Sequence, residues 1–198
     1  MEERNLSEET KTEDKILDAA LTIVKDNTIS GTRMHLIAEK AHMVQSNIHY
    51  YFKTKNDLML ALQKKVLARC ISLRNEISKD CNHTLESQLD TFFKQKLHFI
   101  LEEQEYDYAE IDFWIQGRIN EEMRQEFCKS FERWREEISV LLEEYAPNLS
   151  KEKKQYIPYM LVSLLEGASL QYLIEKNPYD IEKYFEFCKK QVLKIIYE

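Results

Sequence analysis

An all-α fold is what this sequence predicts, and three observations carry the prediction. The 198 residues include only 3 glycines and 3 prolines, scarce for a sheet protein that must turn often. Apolar residues recur at spacings of three and four, and no sustained alternation of period two appears. Thr32, Thr54, Asn120 and Ser150 stand just ahead of such runs, where a side-chain oxygen can cap a helix. The length suits one compact domain or two small ones, and 43% hydrophobic residues are ample for a core.

Taken in order, residues 1–11 (MEERNLSEETK) are polar and are expected to form a mobile tail. A first helix over about 13–26 turns Ile16, Leu17, Ala20, Leu21 and Val24 inward. Thr32 is expected to cap a second helix with Met34, Ile37, Ala38 and Ala41 on its stripe. A third runs over about 45–52, with Ile48 and Phe52 four apart. Thr54-Lys55-Asn56-Asp57 fits a capping box, so a fourth helix begins at Lys55 and continues through Leu58, Leu62 and Val66 to about 79. After a loop near 80–84, Leu85, Leu89, Phe92, Phe93, Leu97 and Ile100 mark an apolar fifth helix. An aromatic sixth covers 106–117. Asn120 caps a seventh that ends before Pro147, and Ser150 caps an eighth that reaches about 176, with Pro158 expected to kink it. Asn177-Pro178-Tyr179-Asp180 is expected to start the ninth, with Asn as cap and Pro in the first helical position.

The four cysteines (Cys70, Cys81, Cys128, Cys188) are scattered with no CxxC pair, which indicates neither a disulfide framework nor a zinc site and fits a reducing cytoplasm. No apolar run approaching membrane-spanning length and no charged-then-apolar leader are apparent, so no membrane partner is expected. Net charge is −7, yet residues 11–65 hold nine basic against six acidic side chains. That surplus of three leaves the rest of the chain at −10. A basic module on an acidic body favours docking on DNA in one orientation.

Residues 32–58, TRMHLIAEKAHMVQSNIHYYFKTKNDL, concentrate the function-bearing groups. Two short helices joined by a tight turn form a helix-turn-helix, whose second helix lies in the major groove. Here FKTKNDL, preceded by IHYY and introduced upstream by KILDAALTIV, resembles the DNA-binding domain of the TetR-type bacterial transcriptional regulators. The resemblance is close over 15–62, and residues 113–173 resemble the C-terminal domain of the betaine-repressor branch. It implies an N-terminal three-helix DNA-binding domain over 12–60 and a helical ligand-binding and dimerisation domain over 61–198.

The chain departs from the family pattern at several positions. His42 stands where the family usually has Gly in the turn, which a left-handed His tolerates with some strain. Val44 replaces the usual Ser or Thr cap, at a cost of ~1 kcal/mol unless Ser46 substitutes. His35 and Leu36 stand where Arg and Asp are usual, so no operator sequence transfers from a relative.

Gln45 can address an adenine edge with two bonds, and Ser46 and Asn47 offer short donors at the start of the recognition helix. By resemblance His49, Tyr50 and Tyr51 lie at backbone or bases and Lys55 at a phosphate. One of the two tyrosines is expected to pad the core, leaving Tyr51 as the phosphate contact. Thr32, Arg33 and His35 either touch DNA or are simply solvated. His35, His42 and His49 are seven apart on different segments, and turn and DNA-face roles are expected of them rather than metal binding.

The aromatic run between Phe92 and Trp134 either fills core or lines a cavity for a small-molecule effector. Tyr108, Glu110, Trp114 and Gln116 are the candidates for holding a cation or a flat apolar ligand. Leu164, Gly167 and Ala168 of the eighth helix and Tyr184, Cys188 and Val192 of the ninth are candidates for a homodimer interface. In the family those two helices pair with their copies in a four-helix bundle.

The function implied is a homodimeric repressor released from a palindromic DNA operator by a small molecule, needing no cofactor. Control by a protein partner, or activation, are same-fold alternatives. A helical-bundle enzyme is disfavoured, since no paired carboxylates with an i,i+3 His, no nucleophile with a base and no phosphate-binding Gly loop are present.

Overall fold

The computed structural model describes residues 2–175 and 179–198, and among them the chain is all-α with nine helices: α1 (Glu2–Gly31), α2 (Met34–Lys40), α3 (Gln45–Tyr51), α4 (Lys55–Ser78), α5 (Leu85–Leu101), α6 (Gln104–Gln116), α7 (Glu121–Tyr145), α8 (Lys151–Ile174) and α9 (Ile181–Tyr197). Several starts follow from the residues that precede them. Thr54 and Asp57 form the reciprocal box, each side chain accepting the other's backbone N–H at 3.1 and 2.9 Å. The Asn120 side chain accepts from Met123 N at 3.1 Å, and Ser150 accepts from Lys153 N.

Other boundaries differ from the sequence expectation. α1 opens at Glu2, well ahead of residue 13, and is broken near its end at Thr28, which sits at φ 60°, ψ 165°. The Thr28 carbonyl then accepts both the backbone N–H of Thr32 (3.0 Å) and its hydroxyl (2.7 Å). Thr32 is therefore not the cap of α2. Arg33 holds that position without a side-chain capping bond. α9 begins at Ile181 with Asp180 accepting from Lys183 N. The expected cap Asn177 and first-turn Pro178 lie outside the described residues. α8 runs as one helix through Pro158.

The chain folds as two compact units that interleave in sequence. The first comprises Met1–Ala68 with Glu105–Gln125, the second Arg69–Gln104 with Glu126–Glu198. A single cut at residue 60 does not reproduce them, because α6 and the turn after it bond into α1 and α4. Asp112 accepts from Ile29 N (2.6 Å) and Gln116 donates to the Ser30 hydroxyl (3.1 Å). Asn120 donates to Asn56 (2.7 Å), and the buried Gln63 amide donates to the Met123 carbonyl (2.8 Å). Ile16, Ala20, Ile37, Ile48, Leu58, Leu62 and Phe113 are fully buried in this unit.

In the second unit α5, α8 and α9 contact one another, and Leu89, Phe93, Leu161, Leu165, Phe185 and Val192 belong to one apolar core with Ile138 and Leu142 of α7. An ion pair crosses it: Lys96 Nζ lies 2.8 Å from Glu166 Oε2, both side chains almost wholly buried. By length and composition alone α8 is apolar enough to cross a bilayer, contrary to the sequence expectation. Its Ile157, Leu161, Val162 and Leu165 are committed to this core, which is the ordinary reason for such a composition.

Candidate nucleic-acid interface

α3 is short, seven residues, and is anchored by one face. Ile48 is fully buried and Phe52, just beyond its end, is 7% exposed. Period 3.6 then sends Gln45, Ser46 and Asn47 to solvent, together with Tyr50. Val44 is the N-cap with no side-chain bond, and the turn before it is closed by His42 at φ 54°. The left-handed His42 needed in place of Gly is thus present. So is the uncapped start that Val44 implies.

Neither tyrosine pads the core, contrary to expectation. Tyr51 is half-buried, Tyr50 is 64% exposed, and their rings meet edge to face at 5.1 Å. Lys53 Nζ lies 5.8 Å from the centre of the Tyr50 ring, adding a cation to that edge. His49 is half-buried, with Nε2 3.3 Å from Gln45 Nε2 and Nδ1 3.3 Å from the Lys53 carbonyl.

At the other flank, Arg33 and His35 are exposed, while Thr32 is fully buried with its hydroxyl on Thr28, which removes it from direct contact with a ligand. Arg33 donates to the Ser30 and Thr32 carbonyls (2.8 and 3.1 Å), and Lys55 Nζ reaches the same Ser30 carbonyl at 3.5 Å. Burial, then the charge of Arg33, lowers the pKa of the Lys55 ammonium. The two neighbouring cations favour an anion beside them, as a phosphate would be.

The sequence candidates for ligand and dimer contacts fare unevenly. Tyr108 and Glu110 lie some 200° apart around α6, so with Trp114 and Gln116 they do not share one face. Glu110 is buried, Tyr108 and Trp114 are half-buried, and Gln116 is held by Ser30 of α1. Two open clefts, of about 460 and 340 Å³, involve other residues: one around Tyr145, Leu149 and Lys153, the other around Arg135, Lys154 and Tyr159. Among the described residues no group of three or more His, Cys, Asp or Glu is arranged to hold a metal.

Ala168, Cys188 and Val192 are buried in the chain's own core, which corrects their assignment to a dimer face; Leu164, Gly167 and Tyr184 are half-buried. The outward apolar residues of these helices are Tyr156, Tyr159, Leu170 and Ile174 on α8 and Phe187, Ile195 and Tyr197 on α9. Both faces of these helices are apolar, and periodicity alone cannot say which one meets α5.

Comparison with known proteins agrees with this geometry. Residues 16–62 match the family model for bacterial regulatory proteins of the tetR family. The chain is 29% identical over 170 residues to an HTH-type transcriptional regulator in the dhlA 5' region of Xanthobacter autotrophicus, covering 85% of this chain and 82% of that one. It is 22% identical over 173 residues to the HTH-type transcriptional regulator BetI of Cronobacter sakazakii, again covering 85% and 82%. A transcriptional regulator from Saccharomonospora viridis, solved in complex with choline, superposes with a TM-score of 0.82 at 15% identity, over 96% of this chain and 97% of that one. With the helix-turn-helix exposed as described, residues 16–62 form a DNA-binding domain of the tetR family of bacterial regulatory proteins, and over most of its length the chain is similar to transcriptional regulators rather than to enzymes.

Proposed function

We propose that this regulator is a cytoplasmic homodimeric repressor that leaves a palindromic operator when a small molecule binds it. The observation that carries the DNA half is the solvent-facing polar edge of α3, Gln45 to Asn47 with Tyr50, flanked by Arg33, Lys53 and Lys55. Gln45, Ser46 and Asn47 read base edges. Tyr50, Tyr51 and Lys55 hold the backbone, with Arg33 and His35 at its margin and His49 behind them, bonded to Gln45 and the Lys53 carbonyl. Two copies of α3 enter successive major grooves about one helical turn apart.

The dimer is supported by the unpartnered outer stripes of α8 and α9, where Leu170, Ile174, Phe187 and Ile195 face outward. Gly167 adds room, since a Cβ built there meets nothing within 4 Å. The effector is supported by the likeness to BetI and to a choline-bound regulator, and choline is the first compound to try. Binding of effector and of DNA must then oppose each other by one common factor.

The test starts with genomic fragments recovered on the purified protein. Affinity for the recovered duplex should fall steeply with salt, with a slope reflecting several phosphate contacts. It should also fall on adding effector. A salt-independent interaction would remove the DNA reading, and independent binding of DNA and effector would remove release by this route.

A further inference from the structure

We infer that His49 is a positioning residue that sets which way the Gln45 amide faces, and so which base Gln45 selects. The inference rests on Gln45 reading a base and adds what fixes its orientation. Three groups stand in line. The Lys53 carbonyl oxygen is 3.3 Å from His49 Nδ1, and His49 Nε2 is 3.3 Å from Gln45 Nε2.

The polarity of this line follows from its fixed end. A backbone carbonyl only accepts, so Nδ1 must carry the proton that faces Lys53. In the neutral ring Nε2 then holds a lone pair and only accepts. The Gln45 atom facing it must therefore be the amide nitrogen, donating one of its two hydrogens. The second N–H and the carbonyl oxygen of Gln45 remain on the outer edge. One donor beside one acceptor, in that order, is the pattern that pairs with N7 and the N6 amino group of adenine. With the amide reversed, its oxygen would face a lone pair on Nε2, and the outer edge would present its donor and acceptor in the opposite order.

The anchor is not on α3. Lys53 follows Phe52, and Thr54 beside it is held by the box to Asp57. The turn between α3 and α4 thus sets the ring of His49, and the ring sets the amide one helical turn earlier. Tyr50 is held from the same turn, Lys53 Nζ lying over its ring and 3.4 Å from its carbonyl. That contact does not touch Gln45, which separates the two roles.

The experiment uses the full chain and a random-sequence double-stranded DNA pool, followed by affinity measurements on the recovered duplex and its single-base variants. Wild type should prefer adenine at one position of each half-site, by about 5- to 150-fold. Gln45→Ala should abolish that preference and leave other positions intact. His49→Ala should lower the preference at the same position by roughly 2- to 12-fold, the worth of one hydrogen bond. His49→Gln, which puts an acceptor near the place of Nε2, should retain most of it; His49→Asn, which mimics Nδ1 alone, should not.

A merely structural role for His49 would weaken every duplex alike and would not distinguish the Gln and Asn variants. The inference is overturned if His49→Ala leaves the Gln45-dependent position untouched, or if it relaxes a different one. If Gln45→Ala changes no position, base reading by Gln45 itself fails, and the positioning role fails with it.

Discussion

Asp112 accepts the backbone N–H of Ile29 at 2.6 Å, in surroundings that work against its own charge. Burial raises its pKa above the usual 3.8, and the hydrogen bond from Ile29 only partly offsets this. The folded protein therefore binds more protons than the unfolded chain between the two pKa values. Stability from this group declines as pH rises through that interval, and above it the cost is constant. Asp112→Asn keeps an acceptor and removes the charge. Its stability should equal wild type below about pH 3.8, exceed it increasingly as pH rises through that interval, and exceed it by a constant amount above, as read by denaturant melts across pH. Asp112→Ala should lose about 1 kcal/mol at neutral pH by stranding the N–H of Ile29. If the Asn variant melts like the Ala variant at pH 7, the charge is not the burden described. Asp112 lacked any sequence signal, since its partner is a backbone group 83 residues away.

At the scale of elements, legibility followed locality. The box at Thr54–Asp57 and the caps at Asn120 and Ser150 involve side chains bonding three residues on, and all were readable in the sequence. Thr32 misled because the same hydroxyl that caps can turn back to a carbonyl four residues earlier. The left-handed Thr28 offers one. No residue type announces that kink, as Thr is a poor choice for positive φ. The outward stripes of α8 and α9 are hard to place for another reason: both helices are apolar on two sides, and only tertiary contact says which side lies inward. His42 was legible because the turn demands a left-handed residue whatever its identity. At φ 54° and exposed to solvent, His42→Gly should stabilise the protein by about 0.5–1 kcal/mol. That corresponds to a rise in Tm of roughly 1–4 °C, with operator affinity unchanged. A fall in Tm on thermal denaturation would show that the imidazole has a structural role of its own.

For the molecule as a whole, charge is divided along the chain, with a surplus of three positive groups in residues 11–65 against a net −7 overall. Such a division favours one docking orientation on a polyanion. Binding as the proposed pair would add a second requirement, that the outer faces of α8 and α9 meet their copies. Phe187→Glu places a charge on that face without touching the intrachain core, since Phe187 is 59% exposed. It should shift the protein toward monomer in sedimentation and weaken operator binding by at least tenfold, while the isolated chain keeps its helical circular dichroism. An unchanged sedimentation coefficient would exclude this face. Gly167 extends the point to measurement. A Cβ added there meets nothing within 4 Å beyond the local helix, so a small side chain has room. Gly167→Cys, in a background where Cys70, Cys81 and Cys128 are replaced and only the buried Cys188 is kept, would turn that open position into a ruler. Spontaneous disulfide formation, or a spin–spin distance between two labels, would then report the separation of the two α8 helices directly, with and without operator.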